Sequence, residues 1–226
     1  MTVADNRHRL LTEWRNRVRA EYGSAGLAAQ AAHWMIQVAF PEQLVEVALR
    51  IVGDELAHSR LSHDVVVAMG GKDEPMTLDI AATASHTAKE GVLASLVDSI
   101  TRNFCLGETF AVPLFHAMRS TTTHPVAQVA LDRILRDEAV HRAFGWDALD
   151  VLLAIDKAGV SQRISASLPV LLKWFKQAYG AGTQVIPLSC EERSVGLISA
   201  EEYAAIYQQC LDEQIRTRFN KRGIVV

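Results

Sequence analysis

Asp54-Glu55-Leu56-Ala57-His58 and Asp137-Glu138-Ala139-Val140-His141 are the two strings in this chain whose residue types and spacing point to chemistry. Each is an Asp-Glu-x-x-His pattern inside an apolar, helix-periodic stretch. On an α-helix, a Glu and a His three positions apart sit about 60° apart, so both side chains reach one point off one face. One such pair offers half a metal site. A lone Glu-x-x-His arises by chance in roughly one chain of this size in two or three, and then reads as a solvated helix face. Here there are two, the only two in the chain, and both follow an Asp. That repetition favours metal ligation over coincidence.

The elements that must carry these strings are helices. Hydrophobic residues make up 49% of the 226 and aromatics only 7%, with much Ala, Leu and Val, which suits packed helices better than a β-sandwich. The spacing predicts a first helix from about Asp5 or Thr12 to Phe40, ending before Pro41. A second begins at Pro41, a favourable first-turn residue, and stops near Met69, before a Gly70-Gly71 loop. A longer connection over about 72 to 88 leads to a third helix, roughly Thr87 to Arg119, and a turn ending at Pro125 leads to a fourth, from Pro125 to about Ala158. Two more helices are expected near Ser161–Tyr179 and Ser199–Arg222, the last opened by the capping box Ser199-Ala-Glu-Glu202. Between them, Gly180 to Gly196 reads as loop. The connections between the first four helices run short, long, short, as in a bundle with one crossover. The chain is read as a single all-α domain, 1–226, with a four-helix metal-binding bundle over 12–158 and a helical extension over 159–226.

Two further carboxylates complete such a site, one from each partner helix. Glu55 lies about 14 residues beyond the turn near residue 41, so its antiparallel opposite belongs roughly 14 to 20 residues before it. Glu21 is the acidic residue there, whereas Glu13 would sit about 12 Å further along the axis. In the second pair, Glu138 and Glu108 lie about equally far either side of the turn near 122–123, and Asp98 would miss by about 15 Å. Glu108 also sits in the apolar run Asn103-Phe-Cys-Leu-Gly-Glu108-Thr-Phe-Ala-Val, where an unpaired carboxylate is costly to bury. The candidate ligands are Glu21, Glu55, His58, Glu108, Glu138 and His141. Asp54 and Asp137 are candidates to hold the far ring nitrogens of the histidines.

The ordered set Glu, Glu-x-x-His, Glu, Glu-x-x-His, over residues from about 12 to 158, resembles the ferritin-like non-haem diiron carboxylate superfamily, of the diiron oxidase or oxygenase type with a rubrerythrin-like bundle. The resemblance implies that Glu55 and Glu138 bridge two Fe ions, that Glu21 and Glu108 are terminal, and that His58 and His141 each bind one. Mn or a mixed Fe/Mn pair suits the same hard oxygen donors with one imidazole per metal. It also implies an O2-dependent oxidoreductase that oxidises a small, largely apolar organic substrate with an external electron donor. The alternative is a ferroxidase, iron-handling or peroxide-scavenging protein. About 65 residues beyond the fourth helix, and the absence of any Cys-x-x-Cys of a rubredoxin module, weigh against it.

Other features exclude function classes. The net charge of -3 and dispersed basic residues give no nucleic-acid footprint. No apolar run reaches membrane-spanning length, the start of the chain has no apolar targeting core, and Cys105, Cys190 and Cys210 are odd in number and far apart, so a cytoplasmic, membrane-free protein with reduced thiols is expected, with a homodimer admitted. His33, His63, His86, His116 and His124 read as ordinary polar or cap residues. The same resemblance implies that an N-oxygenating site would carry an additional histidine ligand four before Glu138, where this chain has Ile134. Pro113 should free the carbonyl of Thr109 from the helical ladder. The small side chains after Glu21 suggest room for a substrate, with Ala25, Ala28, Phe104 and Val112 as expected pocket residues.

Overall fold

The computed structural model describes residues 3–74, 89–180 and 187–226. Among them the chain is helical throughout, with no β-strand. Helices α1 (Val3–Gln37) and α2 (Glu42–Ala68) form a hairpin. The first stops three residues before the expected Phe40 because Ala39 turns left-handed, with φ 54. The amide of Phe40 then donates back to the Met35 carbonyl at 3.0 Å, which closes the helix end in a Schellman-type turn. Pro41 consequently caps α2 rather than entering its first turn.

The third stretch changes pitch partway. It runs as α3 (Val92–Ser99), a π-helical segment π1 (Ile100–Glu108) and α4 (Thr109–Thr121). The expected helix start at Thr87 falls outside the described residues, as does His86 and most of the 72–88 connection. Helix α5 (Pro125–Ile155) starts at its proline as anticipated, but ends before Ala158. Asp156 breaks it: its carboxylate accepts the amide of Gly159 at 2.9 Å, and α6 (Lys157–Gly180) begins at once rather than near Ser161.

Part of the expected loop from Gly180 to Gly196 is instead a short helix, α7 (Cys190–Ser194), capped by Ser189 and Glu192. The last helix is divided into α8 (Ala200–Cys210), a second π segment, π2 (Leu211–Ile215), and α9 (Arg216–Asn220). Its capping box of Ser199 and Glu202 is formed as the sequence predicts.

Helix α1 packs on α2, α2 on α5, α5 on π1 and α4, and α3 back on α1. These helices share two apolar clusters. One contains Ala28, Met35, Ile51, Leu96, Phe104 and Phe144; the other contains Trp14, Val18, Val65, Leu114, Leu131 and Ile134. Between the two lies a buried layer of carboxylates and imidazoles. No helix among the described residues is long and apolar enough to cross a membrane.

Two contacts set the spacing around that layer. Gly145 on α5 lets π1 approach so closely that a Cβ there would lie 2.7 Å from the Phe104 backbone carbon. The thiol of Cys105 donates to the Gly145 carbonyl at 3.2 Å. Pro113 leaves the Thr109 carbonyl without its helical donor, and Cys210 Sγ, 3.3 Å away on α8, takes that place. The C-terminal helices thus supply a hydrogen bond that α4 cannot make for itself.

Candidate metal centre

The helical period brings Glu55 and His58 to one face of α2, and Glu138 and His141 to one face of α5. The structure gathers all six predicted ligands into two overlapping groups. Glu21, Glu55, His58 and Glu138 form one, and Glu55, Glu108, Glu138 and His141 the other. Within each group the donor atoms all lie within 4.8 Å of one another. Glu55 and Glu138 belong to both.

Both imidazoles aim Nδ1 into the layer. His58 Nδ1 is 3.4 Å from Glu55 Oε2, 3.7 Å from Glu138 Oε1 and 4.0 Å from Glu21 Oε2. His141 Nδ1 is 3.2 Å from Glu55 Oε1 and 3.5 Å from Glu138 Oε2. Yet neither Nδ1, nor Oε2 of Glu55 or Glu138, has a hydrogen-bond partner among the described residues. Buried polar atoms are ordinarily satisfied, so a converging set of orphans needs an occupant. A cation in each group would engage all four. Three carboxylates and one imidazole are hard, intermediate donors that suit Fe or Mn. The residues present fit a metal site.

Electrostatics describe the same frustration. Burial, then the neighbouring carboxylates Glu55 and Glu138, pushes Glu21 well above the ordinary carboxylate range. Burial and Glu138 do the same to Glu108. For Glu55, burial works upward, but the imidazoles of His141 and His58 outweigh it and hold the carboxyl at about 2. His141 is raised to about 10: burial works downward, and Glu138 and Glu55 overcome it. His58 is raised in the same sense by Glu55, against its own burial.

The two aspartates cross between helices. Asp137 on α5 pairs with Nε2 of His58 on α2 at 3.2 Å, while Asp54 on α2 stands 3.6 Å from Nε2 of His141 on α5. The first is a hydrogen bond; the second is just too long for one. Arg133, one turn before Asp137, joins them: its Nη2 donates to Asp54 at 2.8 Å and its Nε to Asp137. Arg136 adds a contact to Asp137 at 3.2 Å. Against the upward push of burial, Arg133, His58 and Arg136 hold the Asp137 carboxyl below its usual range. Arg133 was not among the sequence candidates, although its i,i+4 spacing to Asp137 was visible.

A cavity of about 270 Å³ opens on this layer, with Glu21, Glu55, Glu108 and Glu138 in its wall. Glu108, the last residue of π1, is partly exposed to it. Its apolar lining comes from Phe104, Phe115, Trp174 and Phe175, so α6 helps to enclose it. Of the expected pocket residues, Phe104 lines this cavity. Ala25, Ala28 and Val112 do not; they are buried outside its lining. The small residues that make the space are Ala20, Ser24, Gly107 and Ala111, on a different phase of the same helices. His116 is exposed, and Ile134 is buried in the apolar cluster beside the layer. His33 is exposed and bonded to Gln37, and His63 faces Asp73 at 3.6 Å. Comparison with family models, with curated proteins and with solved structures gave no match to this chain.

Proposed function

We propose that the chain is a ferritin-like four-helix bundle with one long crossover, and that it is an O2-dependent oxidase or oxygenase holding two Fe ions, with Mn or Fe/Mn as the variant loading. Its substrate is a small, largely apolar organic molecule, and its electrons come from an external donor. The observation that carries this reading is the sharing of Glu55 and Glu138 between two ligand groups whose carboxylates form one wall of an aromatic-lined cavity.

Glu21 and His58 would complete one metal position, Glu108 and His141 the other. Bound iron supplies redox chemistry with O2 that no side chain offers. The chain's own contribution is placement. Asp137 fixes the ring of His58, because a histidine whose far nitrogen has an acceptor cannot rotate away from its ligating position, and Asp54 stands 3.6 Å behind His141 without bonding to it. Phe104, Phe115, Trp174 and Phe175 bind apolar surface and keep bulk water from the carboxylate layer. Glu108, the most exposed ligand candidate, faces both the layer and the cavity.

The test is to load the protein anaerobically with Fe(II), measure iron per chain, and admit O2 with a reductant and candidate apolar compounds. Two irons per chain and an oxidised organic product support the proposal. Oxidation of Fe(II) in large excess, with ferric mineral inside a cage-sized oligomer, assigns the ferroxidase instead.

A further inference from the structure

A second, larger cavity of about 810 Å³ shares Ala20 and Glu21 with the first. Its walls are mostly apolar, with Trp14, Leu114, Met118 and Leu197 among them. Four charged side chains line it: Arg9, Glu13, Arg17 and Glu21. Arg9 is committed to the fully buried Glu192, through bonds of 2.5 and 2.7 Å. Glu21 belongs to the carboxylate layer. Arg17 is different, for no carboxylate lies within ion-pair distance of it among the described residues.

The guanidinium of Arg17 packs against two rings, 5.0 Å from the centroid of Trp14 and 4.8 Å from that of Phe115. Its Nη2 donates to Met118 Sδ at 3.1 Å, and the guanidinium also donates to the Tyr203 hydroxyl. Its Nε is buried without any hydrogen-bond partner. A guanidinium stacked on aromatic faces, with no carboxylate partner among the described residues and lining a mostly apolar chamber, suits a planar anion. Phe115 also lines the smaller cavity, so Arg17 stands at the junction of the two spaces.

We propose that Arg17 binds the carboxylate of an organic acid whose apolar body extends past Ala20 into the space bordered by the carboxylate layer. This rests on the oxidase reading and narrows its substrate to a monocarboxylic acid. Leu114, Met118 and Phe115 would contact the body, while the head group stays on Arg17 and Tyr203.

Calorimetric titration of octanoate and of 3-phenylpropanoate, with octanol as the neutral comparison, tests it on metal-free and iron-loaded protein. Both acids are expected to bind each form more tightly than octanol does. Arg17→Gln is expected to weaken acid binding at least about tenfold and leave octanol binding unchanged, and Arg17→Lys to retain part of it. Absence of binding by both acids, acid binding no tighter than octanol, or an Arg17→Gln variant that binds acids as the wild type does, overturns the proposal. If Arg17→Gln does not fold, the comparison of acid with alcohol on wild type and on Arg17→Lys decides. Acid binding that persists while iron content stays near zero refutes the metal reading alone; intact iron with no acid binding refutes this one alone.

Discussion

Nε2 of His58 lies 3.2 Å from Oδ2 of Asp137, a bond between helices that are far apart in the chain. It ties the orientation of an imidazole on α2 to a carboxylate on α5, which Arg133 and Arg136 in turn hold. The equivalent contact between His141 and Asp54 is longer, at 3.6 Å. The two histidines are therefore not equally constrained.

Asp137→Ala is expected to keep the fold and weaken iron affinity by about 10- to 100-fold, the usual effect of removing an acceptor behind a metal-binding histidine. Asp54→Ala is expected to cost less. Anaerobic Fe(II) titration of both variants gives the order, and a reversed order refutes this account of the asymmetry.

Glu55→Ala or Glu138→Ala is expected to abolish binding of both ions, because each carboxylate belongs to both groups of donors. Glu21→Ala is expected to spare one ion, since Glu21 belongs to one group only. Iron per chain, measured after desalting, separates the two outcomes.

Gly145→Ala places a methyl group 2.7 Å from the Phe104 backbone, where neither helix has a flexible side chain to move aside. The expected cost is about 1–3 kcal/mol in denaturant unfolding. A neutral result would show that α5 and π1 stand further apart.

Arg9→Ala leaves the buried Glu192 carboxylate with Ser189 alone, and is expected to cost about 1–3 kcal/mol near neutral pH. The sign with pH follows from the direction of the shift. Burial works upward on Glu192, but Arg9 and Ser189 hold it below its ordinary range. Stability from a depressed carboxylate is fully present above the unfolded value of about 4.3 and is lost as pH falls through the lower folded value. The difference between wild type and variant should shrink over that acid interval, which unfolding curves at several pH values would show.

Thiol titration of the folded protein is expected to find one fast site, the exposed Cys190. Burial pushes the Cys210 thiol up to about 12 and the Cys105 thiol higher still, and both donate to carbonyls. Three fast sites would mean that α8 and π1 open readily.

The candidate ligands were legible in the sequence because their logic is local. A three-residue interval fixes a shared helix face, and counting back from a turn selects Glu21 and Glu108. The freed Thr109 carbonyl was legible too, but not Cys210 as its partner, since that contact joins residues about a hundred positions apart. No residue pattern announces π1 (Ile100–Glu108), which lies against α5 at Gly145. Ser189-Cys-Glu-Glu192 has the same capping spacing as Ser199-Ala-Glu-Glu202, so the start of α7 is readable in the sequence by the same signature. The pocket alanines failed on phase: Ala25 and Ala28 follow Glu21 toward the core, while the space lies on the side of Ala20 and Ser24.

Because the same helices contribute to the apolar clusters on both sides of the carboxylate layer, neither cluster is an independent folding unit. A cation that binds only the assembled layer lowers the free energy of the native state as a whole, by RT ln(1 + [L]/Kd). Amide exchange near Trp14 and near Phe144 should therefore slow by the same factor as metal is added. The concentration of available metal would then set how long this protein survives in a proteolytic environment, apart from any turnover it performs.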